Sequence, residues 1–107
     1  MPERVLVVFT TLPDQASAER MASSLVEKKM AACVNIHGQM TSVYSWKGKI
    51  ANDKEHQLVI KTTAARYPAV ENHIKQQHPY ELPEILALPV SAGLSGYIEW
   101  VDSCTKD

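Results

Sequence analysis

The stretch from residue 32 to residue 62 constrains the fold most, because apolar and polar residues alternate along much of it. Alternation with a period of two is the pattern of a half-buried β-strand. The first alternating residues are Ala32, Val34 and Ile36 on one face and Cys33, Asn35 and His37 on the other. Gly38 interrupts this pattern before strand-type residues continue to Trp46, which predicts one long strand with a bulge or bend at the glycine.

A second strand follows after a turn at residues 47–49, which read Lys-Gly-Lys. Ile50 starts the return, residues 52–54 (Asn-Asp-Lys) are expected to break it, and residues 55–62 alternate again. The two strands together predict a long hairpin, with more strand than one small sheet needs.

The segments on either side of the hairpin complete the order β-α-β-β-α-β plus a terminal helix. Residues 4–11 are β-branched and apolar, typical of a central strand. Asp14 can cap a helix with its apolar stripe at Ala18, Met21, Ala22, Leu25 and Val26. A second helix is expected to open at residues 63–68 and to end before Pro79, and residues 85–90 predict the last strand.

This order predicts an α+β chain of the ferredoxin-like type, a single domain over residues 1–107 with a four-stranded antiparallel sheet and two helices on one face. Nothing then covers the other face, and the overhanging hairpin leaves unpaired edges. Self-association is the simplest way to cover that face and those edges. The side chains that would need covering are Cys33, Val43, Tyr44, Trp46 and Val59.

Charge and composition exclude several classes of function. A net charge of −1 with basic and acidic residues interspersed gives no footprint for nucleic acid or an anionic membrane. The apolar run at residues 5–9 is too short for a signal peptide or a membrane span, so we predict a cytoplasmic protein. Cys33 and Cys104 form no CxxC motif, and no nucleophile–base constellation is visible, so the chain is predicted not to be an enzyme.

The stretch from His78 to Val90 is the one candidate for a site. Pro79 and Pro83 stiffen the loop that carries His78, Glu81 and Glu84, and the apolar run that follows is typical of a strand covered on both faces. Rigid polar loops beside buried strands often bind ligands, but a plain helix-to-strand connector fits the pattern too. The other imidazoles, His37, His56 and His73, have no spacing typical of a local metal site.

Four motifs taken together resemble the CutA divalent-cation-tolerance family. They are Ala31-Ala32-Cys33-Val34-Asn35-Ile36, Tyr44-Ser45-Trp46-Lys47-Gly48-Lys49-Ile50, Leu58-Val59-Ile60-Lys61-Thr62 and His78-Pro79-Tyr80-Glu81-Leu82-Pro83-Glu84-Ile85. The resemblance implies a ferredoxin-like protomer in a tight homotrimer related in plan to the PII signalling proteins. It also implies a cytoplasmic role in tolerance to copper and other divalent cations.

The resemblance implies three copper-ligand positions, and this chain keeps one of them. Thr10 stands where the bacterial family has a cysteine, and Gln77-His78 stands where it has a His-His pair. Only His78 carries over as a metal ligand. A site of one imidazole and oxygen donors would suit Cu(II) or Zn(II) better than Cu(I).

Two hypotheses of function follow. In the first, the chain is a non-enzymatic trimer that binds copper or another divalent cation through His78 and oxygen donors at a subunit boundary. In the second, it is a PII-like regulatory module that binds a small molecule or a partner protein in the cleft between subunits.

Overall fold

The hairpin predicted from the alternating stretch forms one side of a four-stranded sheet. The computed structural model describes residues 4–106. Its elements are β1 (Val5–Leu12), α1 (Gln15–Glu27), β2 (Cys33–Trp46), β3 (Lys49–Thr63), α2 (Tyr67–Gln77), β4 (Leu86–Pro89) and α3 (Ser95–Thr105). The strand order is β2-β3-β1-β4, and every pairing is antiparallel. The predicted α+β, ferredoxin-like fold is confirmed.

The hairpin turns tightly at Lys47 and Gly48. Both residues have positive φ, of 50° and 79°, as two-residue hairpin turns that match the twist of the strands require. The register between β2 and β3 shifts between His37 and Met40, which confirms the bulge predicted at Gly38.

The predicted break at residues 52–54 is wrong, because β3 continues through them. Asn52 pairs with Val43 and Asp53 with Ser42. Lys54 Nζ donates a hydrogen bond to Thr41 Oγ1 across the strands at 2.7 Å, and the Tyr44 hydroxyl donates to Asp53. These cross-strand contacts offset the weak strand preference of Asn and Asp.

The hairpin extends beyond the rest of the sheet. β1 pairs with β3 only from His56 to Thr63, so residues 49–55 of β3 have β2 as their one neighbour in the sheet. The protomer is correspondingly elongated, at 47 × 26 × 22 Å. We call residues 40–55 the ribbon.

Helix α1 begins as the sequence predicts. The Asp14 carboxylate accepts the Ser17 backbone N–H at 2.7 Å, and this hydrogen bond holds the pKa of Asp14 below its usual value. Val26, predicted in the buried stripe, is instead 42% exposed. Helix α2 begins at Tyr67, within the predicted opening at residues 63–68, since Thr63 still pairs with Val5 in the sheet.

Apolar packing lies on both faces of the sheet. Helices α1 and α2 cover one face, where the buried residues include Val8, Leu25, Leu58 and Ile74. The opposite face was predicted to be bare, but Val101 of α3 packs there against Val5 and Ala32. α3 therefore covers part of that face.

The prediction that the last strand is covered on both sides is wrong for the protomer. β4 forms the sheet edge beside β1, and Leu86 and Leu88 are more than half exposed. Exposed apolar residues also line the ribbon and α3: Val43, Tyr44, Trp46, Ile50, Leu94, Tyr97 and Trp100.

Candidate functional site

His78 lies at the C-cap of α2, where its imidazole is buried and fully engaged. Pro79 forces the residue before it into an extended conformation, which ends the helix and turns the ring inward. Nε2 lies 2.7 Å from the Thr11 carbonyl oxygen, and Nδ1 accepts the Tyr80 backbone N–H at 3.1 Å. Because a carbonyl oxygen only accepts, Nε2 carries the proton and the ring is neutral. Both nitrogens are thus occupied within the protomer.

Burial lowers the pKa of His78, while the Thr11 carbonyl and the Glu55 carboxylate act in the opposite direction. The ring therefore stays neutral down to a lower pH than an exposed imidazole does. A neutral imidazole is the form that coordinates metal ions.

The Tyr80 phenol lies against this ring and links it to the Glu55 carboxylate. The Tyr80 ring centre lies 4.7 Å from that of His78, and the Tyr80 hydroxyl donates to Glu55 Oε2 at 2.8 Å. Burial is the main cause of the raised pKa of Tyr80, so its hydroxyl remains a donor. Burial and then the Glu55 carboxylate also raise the pKa of Glu84, although that residue stands at the surface. We call His78, Tyr80, Glu55 and Glu84 the His78 cluster.

Sequence reasoning singled out His78 and Glu84 of this cluster, named Tyr80 only as part of the same loop, and missed Glu55. Glu55 is 7% exposed on β3, far along the chain from the proline-bracketed loop. Its place in an alternating strand gave no sign of a buried carboxylate. Glu81, predicted as a neighbour of His78, is exposed.

The other two positions that the resemblance implies, Thr10 and Gln77, differ in their exposure to solvent. Thr10 is fully buried among the residues of β1 that face α1 and α2, and its Oγ1 has no hydrogen-bond partner within residues 4–106. Gln77 is exposed in the last turn of α2. No group of three or more His, Cys, Asp or Glu side chains that could hold a metal ion occurs in the described part of the chain. One protomer therefore does not fit a pre-formed metal site.

The other three histidines, His37, His56 and His73, make no hydrogen bond to the His78 cluster within the described residues. His73 is hydrogen-bonded to Ser24 on α1, and His37 is exposed on β2. The Nδ1 atom of His56 is buried without a partner in the described residues.

Comparison with known proteins decides the family. The family model described as CutA1 divalent ion tolerance protein matches residues 6–104. Human Protein CutA is 42% identical over 106 residues, which cover 99% of this chain and 59% of the human protein. The Divalent-cation tolerance protein CutA of Pectobacterium atrosepticum is 44% identical over 101 residues, 94% of this chain and 92% of that protein.

The chain belongs to the CutA1 divalent ion tolerance family.

Solved structures of the family share its fold. The Thermus thermophilus Cut A1 structure superposes with a TM-score of 0.93 at 40% identity, covering 95% of this chain and 99% of that one. The CutA1 structure from Oryza sativa gives a TM-score of 0.95 at 39% identity, covering 99% and 97%. The family name concerns divalent cations, and the names of these relatives describe no enzyme activity.

Two findings limit which properties of the CutA1 relatives can be assigned to this chain. It spans about 60% of the length of the human and mouse relatives. One solved relative is described as periplasmic and a rice relative as chloroplastic, so the family is not tied to one compartment. None of the helices in residues 4–106 has the length and apolar character needed to cross a membrane.

The hydrogen bond between Tyr80 and Glu55 gives a first test. Tyr80→Phe removes the donor from a buried carboxylate, which should lower the free energy of unfolding by about 1–3 kcal/mol. Tyr67→Phe is the matched control, because it removes the same hydroxyl from the exposed Glu71 on α2 and should change stability little. Urea unfolding of the three proteins at one protein concentration measures both effects. Equal losses in the two variants would mean that Glu55 is not a constrained buried group.

Proposed function

We propose that this CutA1 family member is a non-enzymatic homotrimer that contributes to divalent-cation tolerance in the cytoplasm and responds to metal ions. The observation that carries the trimer is the ribbon. Two strands without a third are marginally stable in water. Yet the ribbon forms a continuous ladder whose side chains Trp46 and Ile50 are 40% and 76% exposed.

The exposed apolar residues support the same assembly. Leu86 and Leu88 leave the sheet edge at β4 both open and apolar. Tyr97 and Trp100 stack on α3 with ring centres 5.4 Å apart, and both are over 40% exposed. Apolar and aromatic surface of this extent is typical of obligate interfaces. Three copies related by a rotation would let each ribbon cover the neighbour's open surface, as in the PII plan.

Measuring the molar mass of the assembly tests the proposed trimer. Light scattering should give about three times the 11.9 kDa chain mass at micromolar concentration, since obligate assemblies leave no stable free monomer. Trp46→Asp puts a charge into the ribbon contact and should dissociate or aggregate the protein. Ser23→Asp adds the same charge on the exposed face of α1 and should leave the mass unchanged. A parent protein that scatters as a monomer would overturn the proposal.

The proposed ligand is copper or another divalent cation, bound as cargo through His78 and oxygen donors at a subunit boundary. The His78 cluster contains a neutral imidazole and, beyond the Tyr80 phenol, the carboxylates of Glu55 and Glu84, which do not form a three-ligand group with it in the described residues. Binding requires His78 to give up one of its two hydrogen bonds, most simply that from the Tyr80 N–H to Nδ1. Further donors would have to come from a second protomer.

Metal titration tests His78 directly. Gln77→His restores the pair that the family resemblance implies and should tighten Cu(II) binding, while His78→Ala should weaken it strongly. Because burial lowers the pKa of His78, affinity should hold at pH 6.5 and fall only at lower pH, where protonation competes with the metal. Calorimetry at two pH values, with thermal melts to check folding, measures these effects. The melts are needed because His78 is only 9% exposed, so that removing its side chain can also weaken the fold.

The second candidate is the regulatory module, in which metal tolerance is indirect. The observation that favours it is the occupation of both His78 ring nitrogens inside the protomer, which suits a structural role. The same titrations separate the two candidates. Equal Cu(II) affinity in the parent, His78→Ala and Gln77→His would favour a small molecule or protein partner in the cleft between subunits.

A further inference from the structure

A cleft lies between α1 and α2. It encloses about 390 Å³ and is bordered by Leu12 at the end of β1, by the first turns of α1 and by Gln77 of α2. This volume is within the range of pockets that hold small organic molecules. The trimer proposal does not use it, and the metal proposal shares with it only Gln77, at its border.

The floor of this cleft, which we call the helix cleft, is apolar. Leu12 and Met21 are buried core residues that border it, and Pro13 and Pro79 stand at its rim. Such a floor favours a ligand with an apolar body, because it offers few polar groups to replace the hydration of a purely polar ion.

One wall carries a neutral polar pair. Ser24 Oγ on α1 lies 2.9 Å from His73 Nε2 on α2, and His73 is only 6% exposed. Burial, and then the charge of Lys28, lower the pKa of His73, so the ring is neutral at pH 7. The serine hydroxyl retains hydrogen-bonding capacity beyond the single bond to the histidine.

The cleft also contains a cationic group with free donors. Arg20 is exposed at its edge, and its guanidinium makes no hydrogen bond or ion pair within residues 4–106. The neighbouring Asp14 carboxylate is engaged by the Ser17 N–H. A guanidinium offers paired N–H groups that match the two oxygens of a carboxylate.

We propose that the helix cleft binds a small organic monocarboxylate, with Arg20 on the carboxylate and the Ser24–His73 pair on a second polar group of the ligand. Because Arg20 carries a single positive charge and stands beside the Asp14 carboxylate, it suits a ligand with one negative charge better than a ligand with two. The ligand's apolar body lies on Leu12 and Met21.

Binding, rather than catalysis by Ser24, is the role that the geometry supports. Ser24 lies inside α1, where backbone N–H groups are bonded to the preceding turn. They are therefore unavailable as the preorganised donors that a tetrahedral oxyanion needs.

The test is a two-dimensional amide NMR titration of the full chain with three probes: benzoate, its neutral analogue benzamide, and inorganic phosphate. Benzoate should bind saturably in the millimolar range, with shifts concentrated on α1 and α2. Benzamide and phosphate should bind at least about tenfold more weakly, because the first lacks the charge and the second the apolar body.

Matched variants assign the contacts. Arg20→Gln should weaken benzoate binding about tenfold, whereas Lys75→Gln removes the same charge from an exposed position of α2 outside the cleft and should have no effect. Ser24→Ala should weaken a hydroxybenzoate more than benzoate, with Ser23→Ala as its control. Absence of saturable shifts, equal binding of benzamide, tighter binding of phosphate, or equal losses in the control variants would each overturn the proposal.

Discussion

The pairing of β2 with β3 is the interaction on which the rest of the protomer depends. Near the core, β3 joins the hairpin to β1, and this junction carries the buried residues Leu58 and Ile60 that α1 and α2 cover. Farther out, the same two strands form a ribbon without a third strand. The ribbon is thus held by a well-packed base, while its own apolar side chains remain exposed in the protomer. Association with further subunits would cover these exposed side chains.

His78 connects two parts of the fold as well as forming a candidate site. Its imidazole joins the end of α2 to the Thr11 carbonyl near the end of β1, and its neighbour Tyr80 reaches Glu55 at the base of the ribbon. Any ligand that competes for the imidazole therefore acts on the junction between helix, central strand and hairpin. The cluster that would respond to a metal ion thus lies against the ribbon proposed to hold subunits together.

The fold was predictable where short-range patterns determine it. Alternation with a period of two predicted the hairpin, Gly38 predicted the bulge, and Asp14 predicted the start of α1, because each depends on neighbouring residues. The exposure of β4 was not predictable from its apolar sequence, because it depends on the strand order that puts β4 at an edge. Likewise, residues 52–54 remain in β3 through side-chain contacts across the hairpin. The residues next to them in the sequence do not indicate these contacts.

The candidate site was predictable only in part. The prolines indicated the stiff loop and His78, but the burial of that imidazole depends on a carbonyl of β1, and the carboxylate to which Tyr80 links it comes from β3. The Ser24–His73 pair joins two helices through tertiary packing and has no sequence motif. Membership of the CutA1 family, whose name concerns divalent ions, establishes the fold, while the ligand has to be found by experiment.

Hydrogen exchange at the ribbon tests most directly whether its stability comes from other subunits. Amides that bond across residues 40–55 should exchange at least about a hundredfold more slowly than those of an unstructured peptide in the parent protein, and should approach the protection of β1. In soluble Trp46→Asp, protection should fall in the ribbon and persist in β1. Rapid exchange throughout the ribbon of the parent, with β1 protected, would contradict the account.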